Sequence, residues 1–198
     1  MCGRTTSTFP TDTLARLLDI DEVDAPELPI SWNVAPTQPI YAVATSSNGA
    51  RKLRALRWGL LPSWARDPRI GARLINARSE TLVQRPAFRS LVGTRRALLP
   101  VSGFYEWRRP EPGSPAPKQP FYFHRADGEP LVFAGLWDLW KVAPATLVLS
   151  HQERSRALAR RQRSNRPQGT VLLPGPMEVM KSDDYIRPSG LGRLAFKG

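Results

Sequence analysis

Prolines and turn residues cut this chain into short extended pieces, and that spacing limits what it can fold into. The 198 residues include 20 Pro and 14 Gly. Pro26, Pro29, Pro36 and Pro39 punctuate an extended loop around Ser31–Trp32–Asn33. Pro110–Pro120 carries five prolines and a glycine, the composition of a flexible hairpin loop. Between such breaks lie runs of strand length: Ile40–Ala44, Leu53–Trp58, Ala97–Val101, Phe104–Trp107, Phe121–Phe123, Leu131–Leu136 and Thr146–Leu149. The Ser46–Ser47–Asn48–Gly49 cluster supplies a turn between the first two. A short helix is predicted over Thr11–Asp19, where Leu14, Leu17 and Leu18 recur at helical spacing after a Thr/Asp start signal. Many short strands and few helices predict an α+β fold. One domain over residues 1–198 is expected, its curved mixed sheet closing into a barrel-like core with a few peripheral helices. No internal repeat or linker divides it.

A hydrophobic fraction of 41% with six tryptophans describes a globular chain, not a disordered one. The single cysteine excludes an intramolecular disulfide framework and a multi-cysteine metal site, so neither metal nor other cofactor is expected. No stretch of eighteen apolar residues and no basic-then-apolar leader is present, which predicts a soluble protein without a membrane partner. The net charge of +12 is unevenly spread. Residues 1–50 hold two Lys/Arg against six Asp/Glu, whereas residues 51–109 hold fourteen against three. Such a surplus favours a polyanionic partner, nucleic acid before anionic membrane. Arginine inflation in a GC-rich genome is the competing source. Trp58, Trp64 and Trp107 lie in or beside the arginine-rich middle, and cations beside aromatic platforms suit single strands with exposed bases.

Three polar positions carry candidate chemistry. Cys2 follows Met1 directly. Small second residues let the initiator be trimmed, leaving an α-amine and a thiol on adjacent carbons. With ordinary pKa values of about 8 and about 8.5, both are partly in nucleophilic form at neutral pH. Nitrogen and sulfur of one residue can then attack an aldehyde in turn, closing a thiazolidine. Read alone, the position is better explained as an accident of a disordered terminus, and only the rest of the chain can overturn that reading. Glu106 stands among aromatics in Ser102–Trp107, where partial desolvation would suit it to shuttle protons near neutrality. Its alternative is an edge-strand glutamate with its head in water. Asn76–Ala77–Arg78–Ser79–Glu80 reads as a strand-to-helix junction. Asn76 can orient a carbonyl or sugar oxygen and Arg78 can grip a phosphate; helix capping by Asn76 or Ser79 is the alternative.

These segments join into a pattern. Met1–Arg4 (MCGR), Trp32–Thr37 (WNVAPT), Trp58–Trp64 (WGLLPSW), Asn76–Thr81 (NARSET), Gly103–Trp107 (GFYEW) and Ala134–Trp137 (AGLW) occur in an order and spacing that resemble the SRAP family, the SOS response-associated, abasic-site processing proteins. The resemblance covers residues 1 to about 140. It implies a single α/β domain with a basic cleft for single-stranded DNA at an abasic site. It further implies a thiazolidine between the N-terminal cysteine and the ring-opened sugar aldehyde, shielding the lesion from strand cleavage. Carried onto this chain, Cys2 is the nucleophile through amine and thiol, Asn76 positions the opened sugar, and Glu106 is the acid/base at the sugar hydroxyl and the imine. Arg4 and Arg78 match the family's phosphate grips. Asn33, Pro39, Trp64 and Trp107 match cleft residues that support the N-terminus or splay the strand. The same terminus implies removal of Met1, the basis of the peptidase name. Partner and place follow: single-stranded DNA with abasic sites, a monomer, in the cytoplasm and at the nucleoid through DNA.

The resemblance fails in the C-terminal quarter. The family's His-Asp-Arg-Met-Pro segment, whose histidine helps open the sugar, has no counterpart in place. Ser150–His151–Gln152–Glu153 arrives too early, and residues 154–166 carry six arginines in thirteen positions. Ser164–Asn165–Arg166–Pro167 stands where the motif belongs, without a histidine, and Gly169–Pro174 looks like the strand that follows it. A local frameshift, the origin we favour, or a diverged subfamily would produce this run. His151 is a weak candidate for the missing catalytic histidine. Residues 150–168 are expected to form a loop or exposed helix, with His151 away from Cys2 and Glu106. His124, after a predicted strand, reads as structural or exposed. Two other classes stay open: a non-catalytic single-strand-binding relic, and a thiol autopeptidase using Cys2 and Glu106.

Overall fold

The computed structural model describes residues 3–140, 146–151 and 177–181. Its strands are β1 (Arg4–Ser7), β2 (Glu22–Asp24), β3 (Ser31–Val34), β4 (Pro39–Thr45), β5 (Arg51–Trp58), β6 (Asn76–Arg78), β7 (Arg96–Val101), β8 (Gly103–Arg108), β9 (Gln119–Arg125), β10 (Leu131–Asp138), β11 (Thr146–His151) and β12 (Met177–Lys181). One α-helix, α1 (Thr11–Leu17), and two 3-10 turns, Pro68–Arg73 and Ser79–Thr81, complete the described elements.

Alternation in β4 explains the layering. Ile40, Ala42 and Ala44 enter one apolar cluster with Leu56, Trp58, Leu99 and Val101. Tyr41 and Val43 enter a second cluster with Leu53 and Val132, covered by Leu14 of α1 and by Leu18 just after the helix. A strand buried on both faces belongs in the middle of a sheet. β4 indeed lies between β5 and β7 in a seven-stranded sheet of order β2-β5-β4-β7-β10-β11-β6. The second sheet has the order β12-β9-β8-β1-β3. Val34 and Phe104 from that sheet pack into the first cluster, so the two sheets share one core. Each fully buried aliphatic side chain there contributes about 1.5–3 kcal/mol relative to exposure.

The fold is mostly sheet with few helices, as expected, but the barrel-like closure is corrected. No sheet closes into a barrel; the strands divide between two sheets. The physical reason is a corner at Ser102, between β7 in one sheet and β8 in the other. Ser102 donates its N–H to Thr6 O at 3.0 Å, and its Oγ accepts the Thr8 N–H at 2.9 Å. Gly103 then makes the turn pack. A Cβ there would stand 2.5 Å from two Tyr122 ring carbons, whose hydroxyl bonds Thr6 Oγ1 at 3.0 Å. β11 touches β5 at only two positions, Thr146↔Arg57 and Leu147↔Trp58, short of the ladder a closed barrel needs. A second correction concerns Ser31–Asn33. This stretch is not loop but part of β3, paired with β1 through Thr5↔Val34 and Ser7↔Ser31.

Candidate functional site

Three predicted polar residues are each one or two positions along the chain from side chains of the shared core. Asn33 precedes Val34, Asn76 follows Ile75, and Glu106 stands two residues beyond Phe104; Val34, Ile75 and Phe104 all pack in the same cluster. The Ile75 peptide is fixed from inside. Trp58 is 0% exposed, and its indole N–H donates to the Ile75 carbonyl at 2.9 Å. The approach to β6 is pinned again at Gly59, where φ is +121° and a Cβ would sit 2.5 Å from Gly71 O. Only glycine accepts both that dihedral and that contact. Leu60 N–H then donates to Leu74 O at 3.0 Å.

Glu106 is partly buried on β8, which lies between β9 and β1. The edge-strand alternative is therefore set aside. Strand alternation puts Glu106 on the face of Phe104, whose ring stacks on Phe123 (5.0 Å between centroids, 11° between planes) and meets Phe133 edge-on at 5.5 Å. Tyr105 and Trp107 alternate onto the other face, 6.3 Å apart. β1 runs antiparallel beside β8 with Arg4 level with Tyr105. The chain thus enters β1 through Gly3 next to Glu106. Cys2 and Met1 lie outside the described residues.

Asn33 and Pro39 flank the link from β3 to β4. Its turn holds Thr37 at a φ of +77°, a strained conformation for a β-branched residue. Hydrogen bonds enforce it: Thr37 N–H donates to Trp58 O at 2.7 Å and Ala35 N–H to Gln38 Oε1 at 2.7 Å. Pro39 is exposed and pairs with Arg57 at the head of β4. Asn33 Oδ1 is buried with no hydrogen-bond partner among the described residues.

β6 carries Asn76 and Arg78 on one face, and Ala77 on the other packs with Leu60, Phe88, Leu91 and Leu136. Arg78 is exposed and Asn76 partly buried. β6 pairs in parallel with β11, Leu149↔Asn76, Ser150↔Ala77 and His151↔Arg78. The expectation of a loop or helix from residue 150 is corrected for Ser150 and His151, which continue a strand because Ala77 and Arg78 of β6 offer them ladder partners. His151 thereby takes the register position beside Arg78. Residues 152–168 and the expected Gly169–Pro174 strand lie outside the described residues.

The tryptophans divide. Trp64 is 60% exposed and Trp107 partly buried, but Trp58 is core and offers no platform. Its parity with Leu56 in Leu53–Trp58 was the missed signal. His124 is partly buried in β9, stacked on Tyr122 at 5.3 Å, with Nδ1 2.9 Å from Arg125 O. Arg66, Arg69, Arg73, Arg78, Arg85 and Arg89 are exposed, the residue type suited to phosphate, though Arg69 is paired with Asp67 at 2.9 Å. Among the described residues no three His, Cys, Asp or Glu side chains gather as a metal site, and no helix is long and apolar enough to cross a membrane.

Comparison with known proteins agrees with the motifs. The chain is 38% identical over 141 residues to the abasic site processing protein YoqW of Bacillus subtilis, an alignment covering 71% of this chain and 61% of that protein. It is 27% identical over 181 residues to the abasic site processing protein HMCES of Xenopus tropicalis, covering 71% and 53%. The chain therefore spans about three fifths or less of the length of these relatives. A crystal structure of a protein from Bacteroides thetaiotaomicron matches with a TM-score of 0.62 at 25% identity, covering 76% of this chain and 67% of that one. The model of the SOS response associated peptidase (SRAP) family matches residues 1–158, and the chain belongs to that family.

Proposed function

We propose that this chain, acting as a single-domain monomer, binds single-stranded DNA at an abasic site and crosslinks to it through Cys2 after removing its own Met1. The observation that supports this most is the pairing of β1 with β8, which delivers the N-terminal segment beside Glu106, with Asn33 and Asn76 on strands whose neighbours Val34 and Ile75 pack in the same core cluster as Phe104. An abasic nucleotide offers an aldehyde and no base. Recognition then needs phosphate contacts, aromatic surface and a nucleophile, not base readout.

The chemistry balances without a redox step. The Cys2 amine adds to the aldehyde carbon, giving a carbinolamine; Glu106 supplies the proton with which hydroxide leaves as water and takes back the nitrogen proton of the iminium so formed. The thiol sulfur adds to the resulting imine carbon while its proton passes to nitrogen, closing the thiazolidine. One water is lost overall. Asn76 orients the opened sugar, and His151, at the Arg78 level of β11, is the candidate for assisting ring opening. Arg4 and Arg78 hold flanking phosphates. Asn33 and Pro39 support the N-terminus, while Trp64 and Trp107 splay the strand.

The test is an oligonucleotide with one abasic site, resolved on a denaturing gel. A shifted band from the wild type, absent with Cys2→Ala, is expected. A wild type that binds the strand but gives no denaturation-resistant band would reduce the protein to a binding module.

A further inference from the structure

We infer that Asp138 and Trp140, at the end of β10, are positioning residues that brace Trp64 as a stacking platform for the bound strand. The inference rests on the DNA-binding reading above. Trp64 is 60% exposed in a segment without regular structure, and an unsupported indole there would sample many rotamers. Ordering it only on binding would weaken the complex. Instead the backbone is held on both sides of it. Asp138, 5% exposed, accepts the Ser63 N–H through Oδ2 at 2.9 Å, while Oδ1 accepts the Leu139 N–H at 2.8 Å. The Trp140 indole N–H donates to Ala65 O at 2.8 Å. Between these anchors Ala65 N–H closes a turn onto Pro62 O at 2.8 Å.

Asp138 is itself held. Arg95 Nη1 stands 3.5 Å from Oδ1, and the Arg95 guanidinium lies 4.9 Å above the Trp137 ring. Arg95 O accepts the Trp137 N–H at 3.0 Å. A buried carboxylate with two backbone donors and an arginine is a costly device for fixing a surface loop. The loop it fixes presents one large apolar ring to solvent. An exposed indole carried on a braced backbone, with the exposed Arg66 two residues on, is the arrangement that stacks on a nucleobase.

The test compares single-strand affinity and adduct formation for the wild type, Trp64→Ala, Asp138→Asn, Trp140→Phe and the double variants. Asp138→Asn sets an amide NH2 against one of two N–H donors, and Trp140→Phe deletes the donor to Ala65. Trp64→Ala is expected to weaken binding about 10-fold, the loss of one stacked base. Each brace variant should weaken it about 3- to 10-fold. The loss should fall on the half-saturating DNA concentration, not on the limiting adduct rate. Either brace variant combined with Trp64→Ala should bind no worse than Trp64→Ala alone, because both act through the same ring. Brace variants that match the wild type, or losses that add to that of Trp64→Ala, would overturn the inference while leaving the crosslinking proposal standing. A wild type that neither binds the strand nor crosslinks would sink both.

Discussion

Replacing Trp58 by Phe tests whether one core side chain sets the geometry of the site strand. The indole is 0% exposed and gives its N–H to the carbonyl of Ile75, the residue before Asn76. Phenylalanine keeps most of the apolar contact with Val34, Leu56 and Leu99 but has no donor. Leaving a buried carbonyl without its partner costs about 1–3 kcal/mol. The missing ring atoms leave a void of a few tens of Å³, adding roughly 1 kcal/mol at about 24 cal/mol per Å³. The variant should therefore lose about 2–4 kcal/mol, read as a lower urea midpoint at unchanged slope. Freed from its anchor, the Ile75–Asn76 peptide should also place the Asn76 amide less well. The adduct rate should fall severalfold while single-strand affinity holds. A variant within about 0.5 kcal/mol of the wild type, with an unaltered adduct rate, would refute the reasoning.

Gly103→Ala forces a methyl against the buried Tyr122 ring and should cost about 1–3 kcal/mol or more by urea unfolding; a neutral result would show that the sheet corner adapts. Burial holds the Tyr41 phenol above its ordinary value of 10.0, so the fold keeps its proton more tightly than the unfolded chain does. Its contribution is whole below pH 10 and is lost as pH rises through the higher folded value. Tyr41→Phe should flatten that alkaline decline in urea midpoint, and an unchanged decline would assign it elsewhere. Arg78→Ala should weaken binding to any single strand and lower the salt dependence of log affinity by about one charge, whereas Glu106→Gln should bind normally and crosslink slowly. Loss of binding in Glu106→Gln with the rate spared would remove Glu106 from the chemistry.

What the sequence revealed followed from local signals. The β4–β5 hairpin was legible because Ser46–Gly49 forms its turn between two runs of strand length; Ser46 N–H donates to Ala50 O at 2.9 Å as a turn of that kind requires. The helix over Thr11–Leu17 was legible from its leucines. β2 and β3 were not, because neither is a strand by its own composition. Glu22–Asp24 is exposed throughout and is strand only beside β5, where Glu22 meets Lys52 and Asp24 meets Arg54 in ion pairs. Ser31–Val34 is flanked by prolines and takes its ladder from β1, distant in sequence. The division into two sheets hides in Ser102–Gly103, whose packing against Thr6 and Tyr122 no local pattern announces. For the site, the motifs picked out Asn76, Arg78 and Glu106 but not their support. The Trp58–Ile75 bond and the Asp138 brace join residues far apart in the chain.

The central claim is a covalent bond between one residue of this chain and one lesion. Intact-mass measurement before and after incubation with an abasic oligonucleotide tests it most directly. Before incubation, the account predicts a mass lacking Met1. Afterwards it predicts a species heavier by the oligonucleotide less one water, formed without a reducing agent, stable to denaturation and absent with Cys2→Ala. No mass increase, or the same increase on a chain that retains Met1, would contradict it.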